Sequence, residues 1–259
     1  MKLNWPTFDD SMKLSLDYND RHNKLDTDLV KWQLIEERYN EVKNRPIGKE
    51  KIPRIIHQIW IGDNMPDKDK KMTEQVQTNM GEGWSYHLWT EKDIKERLPE
   101  FKNYEQYNLT PNPGQKSDLL RAQILHEYGG VYLDTDFIMV KPFNELLDLE
   151  FFCGVSFDNT PTLLNGLMAC TPKCELITRM LDLDMPIGYK DGMDVITTTG
   201  PWFLTRKLFD IFEVQKDIVV MPSSFFYPFP NTDINKSPDY RIYLKPETIC
   251  CHMWSGSWM

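Results

Sequence analysis

Apolar positions along the chain follow two rhythms, and each rhythm predicts a different element. At three- and four-residue steps the apolar stripe marks a helix, whereas short continuous apolar runs bounded by turn residues mark buried strands. Leu25, Leu29, Trp32, Ile35, Tyr39 and Val42 follow the first rhythm and predict an amphipathic helix, with Asn44-Arg45-Pro46-Ile47-Gly48 as the turn out of it. Residues 55–61 follow the second rhythm and predict a strand. A polar helix over 67–80 comes next, ended by Gly81-Glu82-Gly83, then a strand over 84–89 and a short helix over 91–98. An irregular, proline-bearing stretch reaches Gly114. Beyond it the pattern predicts a helix over 117–128, strands over 131–133, 151–155, 166–169 and 218–221, and helices over 173–183 and 201–213. Such alternation predicts an α/β fold. Residues 1–50 read as an N-terminal helical extension and residues 51–259 as the main domain.

The segment from Ser117 to Asp136 breaks the pattern in an informative way. Asp118 and Arg121 stand three apart and share one helical face near its start, while Leu120, Ile124, Leu125 and Tyr128 form the buried stripe. Gly129-Gly130 predicts the helix stop, through a left-handed glycine. Val131-Tyr132-Leu133 then leads into Asp134-Thr135-Asp136, and Phe137-Ile138-Met139-Val140 follows. Side chains two apart on a strand point the same way, so Asp134 and Asp136 present two carboxylates side by side at the strand's end. Like charges held that close need a cation, an arginine or a proton, and oxygen donors of this kind suit a hard divalent metal. The competing reading is a solvated turn, but here the pair interrupts an apolar run. A helix start and a strand end can meet at one rim of a sheet, where open α/β sheets bind ligands.

Ser-Asp-x-x-Arg followed by Gly-Gly-x-Tyr-x-Asp-x-Asp resembles the sugar-transferase DXD group, glycosyltransferase family 32. That family includes Golgi mannosyltransferases and bacterial polysaccharide enzymes, and the segment is also distantly like the glucosyltransferase domains of large clostridial-type toxins. Three more stretches carry the resemblance: Ile52-Pro53-Arg54-Ile55-Ile56-His57-Gln58-Ile59-Trp60-Ile61-Gly62, Tyr86-His87-Leu88-Trp89 and His252-Met253-Trp254-Ser255-Gly256-Ser257-Trp258. The resemblance implies a GT-A type single domain with a mixed, mainly parallel central sheet flanked by helices. It implies a metal-dependent, retaining transfer of a hexose from a nucleotide sugar. Asp134, Asp136 and His252 are then the metal residues, with Mn²⁺ preferred and Mg²⁺ second. In the resemblance Asp136 is the direct ligand, while Asp134 holds ribose or reaches the metal through water. Asp134, Asp136 and Arg121 are the catalytic candidates. Donor contacts fall on Trp60 (base stacking), Tyr132 (base or ribose), Asp118 and Arg121 (sugar), Asn165 and Gly200 (sugar and acceptor loops), and Ser257 and Trp258 (diphosphate).

Each assignment has a plainer rival. Without the resemblance His252 reads as a satisfied core histidine; Trp60 and Tyr132 read as core aromatics, Asp118 with Arg121 as a surface ion pair, and Trp258 as a structural anchor. His57 and His126 read as core histidines outright. The aromatic run Phe225-Phe226-Tyr227-Pro228-Phe229-Pro230 reads as core packing, with an acceptor-site role behind it.

Composition narrows the function. A net charge of −9 and a pI near 5.1 argue against nucleic-acid binding. No apolar run approaches the ~20 residues of a membrane-spanning helix, and Met1 to Pro6 has no apolar signal-like stretch behind it. These features give the expectation of a cytoplasmic protein of bacterial or viral setting, with peripheral membrane contact allowed. Five cysteines without metal-like spacing, two of them adjacent, read as reduced buried thiols. UDP-galactose or UDP-glucose is the expected donor, with GDP-mannose second, and the acceptor is a glycan or lipid-linked saccharide. Two alternatives stand beside this reading. One is a catalytically silent nucleotide-sugar- or partner-binding protein. The other is a phosphatase of the haloacid dehalogenase type, disfavoured by Ile138 where that motif takes Thr or Val.

Overall fold

The computed structural model describes residues 5–62, 64–98, 100–157, 161–184, 192–234 and 239–256. Short helices α1 (Phe8–Ser11) and α2 (Leu16–Asn19) precede the long helix α3 (Asp26–Asn44). Then come β1 (Ile55–Ile59), α4 (Asp67–Asn79), β2 (Ser85–Trp89), α5 (Glu91–Arg97), α6 (Tyr104–Leu109), α7 (Pro113–Tyr128), β3 (Gly130–Leu133) and β4 (Phe137–Met139). The second half supplies β5 (Phe151–Val155), β6 (Leu163–Cys170), α8 (Glu175–Met180), α9 (Gly192–Thr198), α10 (Pro201–Phe209), β7 (Ile218–Met221) and β8 (Cys250–His252). The main sheet has the order β2-β1-β3-β6-β5-β7. β1 runs parallel to β2 and β3, and β5 parallel to β7, while β6 is antiparallel to both its neighbours. This is the mixed, mainly parallel α/β sheet that the alternation predicts. β3, β5 and β7 are buried along their whole length, as expected of strands covered on both faces.

Helix α7 starts at Pro113, earlier than its apolar stripe shows. The Asn112 side chain accepts from the Gln115 amide at 3.0 Å, and proline fits the first turn because its missing N–H has no partner there. At the other end Gly129 has φ +62° and ψ −154°, so the expected left-handed stop is replaced by an extended positive-φ conformation open in practice to glycine alone. The chain has to turn straight into β3 there. A Cβ on Gly129 would come within 2.6 Å of Pro172 and 2.8 Å of the Cys170 carbonyl.

The larger correction concerns Asp134 to Asp136. The apolar run does not continue as one strand: β3 ends at Leu133, and β4 pairs with β8 in a separate two-stranded sheet. A turn connects them, with the Phe137 amide donating to the Asp134 carbonyl at 3.3 Å. Strand alternation is therefore not what sets the two carboxylates side by side.

Residues at the N-terminus share the core of the sheet domain. Trp5 stacks on Tyr39 and meets Phe225 edge-on. Arg38, nearly buried in α3, donates to the Phe212 and Ile218 carbonyls at 3.0 and 3.3 Å, where β7 begins. Leu25 does not join the stripe. It caps α3 and is 74% exposed, and the buried side runs through Asp28, Trp32, Ile35, Tyr39 and Val42. Phe225, Phe226, Tyr227 and Phe229 are buried, in line with core packing. All five cysteines are free and buried. Among the described residues no helix is long and apolar enough to cross a membrane.

Candidate active site

A cavity of about 470 Å³ opens where β1 and β3 end. Both strands run the same way, so Ile59 at the end of β1 and Trp60, Asp134 and Asp136 just beyond the strand ends meet at one rim, the usual ligand position in such sheets. Helix α7 adds Ser117, Asp118 and Arg121, β6 adds Leu164, Asn165 and Gly166, and α9 adds Val195 and Ile196. His252 and Trp254 close the remaining side.

Arg121 organises one half. Its Nη2 lies 3.1 Å from Asp134 Oδ1 and 3.3 Å from Asp118 Oδ1, its Nη1 donates to the Asn165 carbonyl at 2.7 Å, and its guanidinium sits 4.5 Å over the Tyr132 ring. Burial works against its charge, but Asp134, Tyr132 and Asp118 outweigh it and hold it protonated. Asp118 is 7% and Arg121 5% exposed, which excludes the surface ion pair. The Asp118 carboxylate also accepts from Asn165 Nδ2 at 2.7 Å and Thr199 Oγ1 at 2.8 Å. Burial still pushes it up to about 6 against these donors. The Tyr132 hydroxyl donates to Asp134 Oδ1 at 2.6 Å, leaving this residue 1% exposed beneath the carboxylate.

The other half centres on Asp136. Burial alone would raise its pKa, but His252 and the Ser255 amide outweigh that and hold it low. His252 Nε2 lies 2.9 Å from Asp136 Oδ1, and the Ser255 amide donates to Oδ2 at 2.8 Å. Asp134 moves the opposite way: burial raises it, Arg121 opposes, and the Asp136 charge adds to the rise. The imidazole is raised despite burial, because Asp136 and then Asp134 favour its charged form. Among the described residues its buried Nδ1 has no hydrogen-bond partner, unlike a satisfied core histidine. Ligand atoms of Asp134, Asp136 and His252 all lie within 4.8 Å of one another. Hard carboxylate oxygens and a borderline nitrogen at that spacing fit Mn²⁺ or Mg²⁺.

Of the other sequence candidates, Trp60 lines the cavity half-buried, its buried indole N–H without a partner among the described residues. Asn165 lines it too, although both its carbonyl and its amide brace Arg121 and Asp118. Gly200 does not line it: packed on the Val195 carbonyl and Ile196, it stands behind a wall made by Val195, Ile196 and Pro201. Ser257 and Trp258 lie outside the described residues. Sequence reasoning missed Gln58, whose Nε2 donates to the Asp134 carbonyl at 3.0 Å, although its place two before Trp60 puts it on the same strand face. Gly166, expected with Asn165 in a sugar or acceptor loop, lies against the first aspartate: a Cβ there would sit 2.7 Å from Asp134 Oδ2. Trp254 adds a ring 4.3 Å from His252, and its indole donates to the Phe229 carbonyl at 2.7 Å.

Known proteins resemble this chain in sequence and in fold. A family model described as the glycosyltransferase sugar-binding region containing the DXD motif matches residues 66–152, which include the Asp134–Asp136 turn. The chain is 30% identical to glycosyltransferase L373 of Acanthamoeba polyphaga mimivirus over 194 residues, covering 68% of this chain and 73% of that one. It is 28% identical to inositol phosphoceramide mannosyltransferase 1 of Schizosaccharomyces pombe over 201 residues, covering 72% of this chain and 61% of the yeast enzyme's length. The solved PaToxG glycosyltransferase shares the fold, with a TM-score of 0.53 at 21% identity, over 72% of this chain and 79% of that one. With the turn inside the matched region and a viral relative aligned over most of its length, this chain belongs to the DXD-motif glycosyltransferases, family 32.

Proposed function

We propose that this glycosyltransferase moves a hexose from a nucleotide-sugar donor, in a metal-dependent reaction that retains anomeric configuration. The observation that carries the reading is the meeting of Asp134, Asp136 and His252 on the wall of a cavity of small-ligand size. These three residues would hold Mn²⁺ or Mg²⁺, and the bound ion would supply Lewis-acid stabilisation of the departing diphosphate. Arg121, permanently charged and fixed by its neighbours, aims a preorganised positive field at the same place. Trp60 offers the base a ring and an indole N–H that has no partner among the described residues. Asp118 and Tyr132 work chiefly as positioning groups, since their polar atoms already serve Asn165, Thr199, Arg121 and Asp134.

Retention fits the same geometry. Asp118 and Asp134 are both engaged by buried donors, so neither stands ready as a covalent nucleophile. The acceptor hydroxyl would attack from the face the diphosphate leaves, and a phosphate oxygen would take its proton. Leu164, Val195, Ile196, Pro201 and Ile234 give the cavity an apolar side, which supports an acceptor with an apolar portion such as a lipid-linked saccharide. The mannosyltransferase relative supports GDP-mannose over the UDP-hexoses expected from sequence. We assign transfer to residues 51–259, with the N-terminal helices bracing that unit.

Calorimetric titration with UDP and with GDP, each with and without Mn²⁺, tests the reading. Metal-dependent binding of one nucleotide is the expected result. Absence of binding under all four conditions would remove it.

A further inference from the structure

We infer that Gln58, together with Tyr86, is a positioning device that sets the geometry of the Asp134–Asp136 turn; this rests on the metal-site reading above. Gln58 is fully buried on β1, one residue beyond the pairing of His57 with Tyr132. Its amide bridges two elements: Nε2 donates to the Asp134 carbonyl at 3.0 Å, and Oε1 accepts from the Tyr86 hydroxyl at 2.8 Å. The partners fix the orientation of the amide. A backbone carbonyl cannot donate, so the nitrogen must face Asp134 and the oxygen must face Tyr86. Burial holds the Tyr86 phenol well above its ordinary pKa, so it remains a donor.

The Asp134 carbonyl is also the acceptor that closes the turn, through the Phe137 amide at 3.3 Å. On the other side the Asp134 amide donates to the Gly166 carbonyl at 2.8 Å. Strand pairing lapses between Leu133 and Phe137, so these contacts hold the Asp134 end of the turn, while the pairing of Phe137 with His252 and the Met253 amide on the Asp136 carbonyl at 2.9 Å hold its other end. Gln58 supplies the one side-chain bond to the turn's first carbonyl among the described residues. Losing it would loosen the Asp134 end of the turn and shift its carboxylate relative to Asp136 and His252, while the direct contacts with Arg121, Tyr132 and the Ser255 amide remained. Outer-shell partners of this kind are typically worth 10–100-fold in metal affinity.

The test is Mn²⁺ binding to the full chain, measured by calorimetry beside the metal-free melting temperature, for wild type, Gln58→Leu, Tyr86→Phe and Asp136→Asn. Gln58→Leu is expected to weaken Mn²⁺ by about 10–100-fold. Tyr86→Phe, which removes a single hydroxyl, is expected to weaken it by a smaller factor in the same direction. A wild type that binds Mn²⁺, an Asp136→Asn that does not, and Gln58 and Tyr86 variants within about 2-fold of wild type would overturn the inference and leave the metal site standing. Failure of wild type to bind would overturn both. Should Gln58→Leu not fold, Tyr86→Phe alone decides.

Discussion

Two histidines, both largely out of solvent, sit at different corners of this molecule and have opposite electrostatics. His57, on β1, donates through Nε2 to the Gly129 carbonyl at 3.0 Å and accepts at Nδ1 from the Trp89 indole at 3.1 Å. Burial pushes its pKa down to about 4, so the ring is neutral with both nitrogens occupied. His252, on β8, faces Asp136 at 2.9 Å, and that carboxylate lifts its pKa against the effect of burial. One of its nitrogens has no partner among the described residues. Burial is common to both, so burial does not separate a structural histidine from a functional one. A neighbouring pair of carboxylates does, because it rewards positive charge at that point, whether a proton or a metal supplies it.

Four experiments break or sharpen this contrast. The largest effect is expected from Asp136→Asn, which removes the charge that His252 faces. Turnover of the nucleotide sugar should fall by about 10²–10³-fold or more with the fold retained by circular dichroism; an active variant would break the contrast at its functional end.

Acid titration addresses the other end. Between pH 6.5 and about 4 the unfolded chain protonates His57 while the folded chain does not, so the unfolded state holds more protons and stability falls with falling pH. The gap is worth up to about 3 kcal/mol. Chemical denaturation of wild type and His57→Gln across that range should show the slope reduced in the variant. Equal slopes would mean that His57 is not what resists acid.

Trp60→Ala is expected to raise the nucleotide dissociation constant by about 10-fold, since base stacking on an aromatic is worth about 1–3 kcal/mol. An unchanged constant would return Trp60 to the core. Smallest of all should be Lys68→Ala. Its exposed ammonium reaches Ser255 Oγ at only 3.4 Å, and solvent screening leaves such a contact a small value. Activity is expected to stay within about 2-fold. A large loss would show that the segment after His252 depends on α4 for its place.

Much of this was legible in the residues. Apolar rhythm located β1, β2, β5, β7 and the long helices, because a strand or helix that buries a face must carry the matching period. The Asp118/Arg121 spacing and the Asp-x-Asp after an apolar run marked the site, and resemblance added His252. α6 and α9, each shorter than two turns, escaped because too few positions repeat within them, although the equally short α5 and α8 were predicted. β8 escaped because three residues carry no period at all.

The sequence by itself determined which side chains could carry charge, coordinate or stack, and the local elements in which they stand. Only the tertiary structure decided which of them meet. Asp134 and Asp136 come together through a turn between two sheets, rather than through the alternation of one strand. Asp118 and Arg121 are buried because β6 and α9 close over α7, which no local pattern in α7 records. Gln58 and Gly166 matter only because distant strands press against one carbonyl and one carboxylate. Local pattern is set by each segment's own periodicity, whereas the site is a product of long-range pairing, and that is written in no single stretch of the chain.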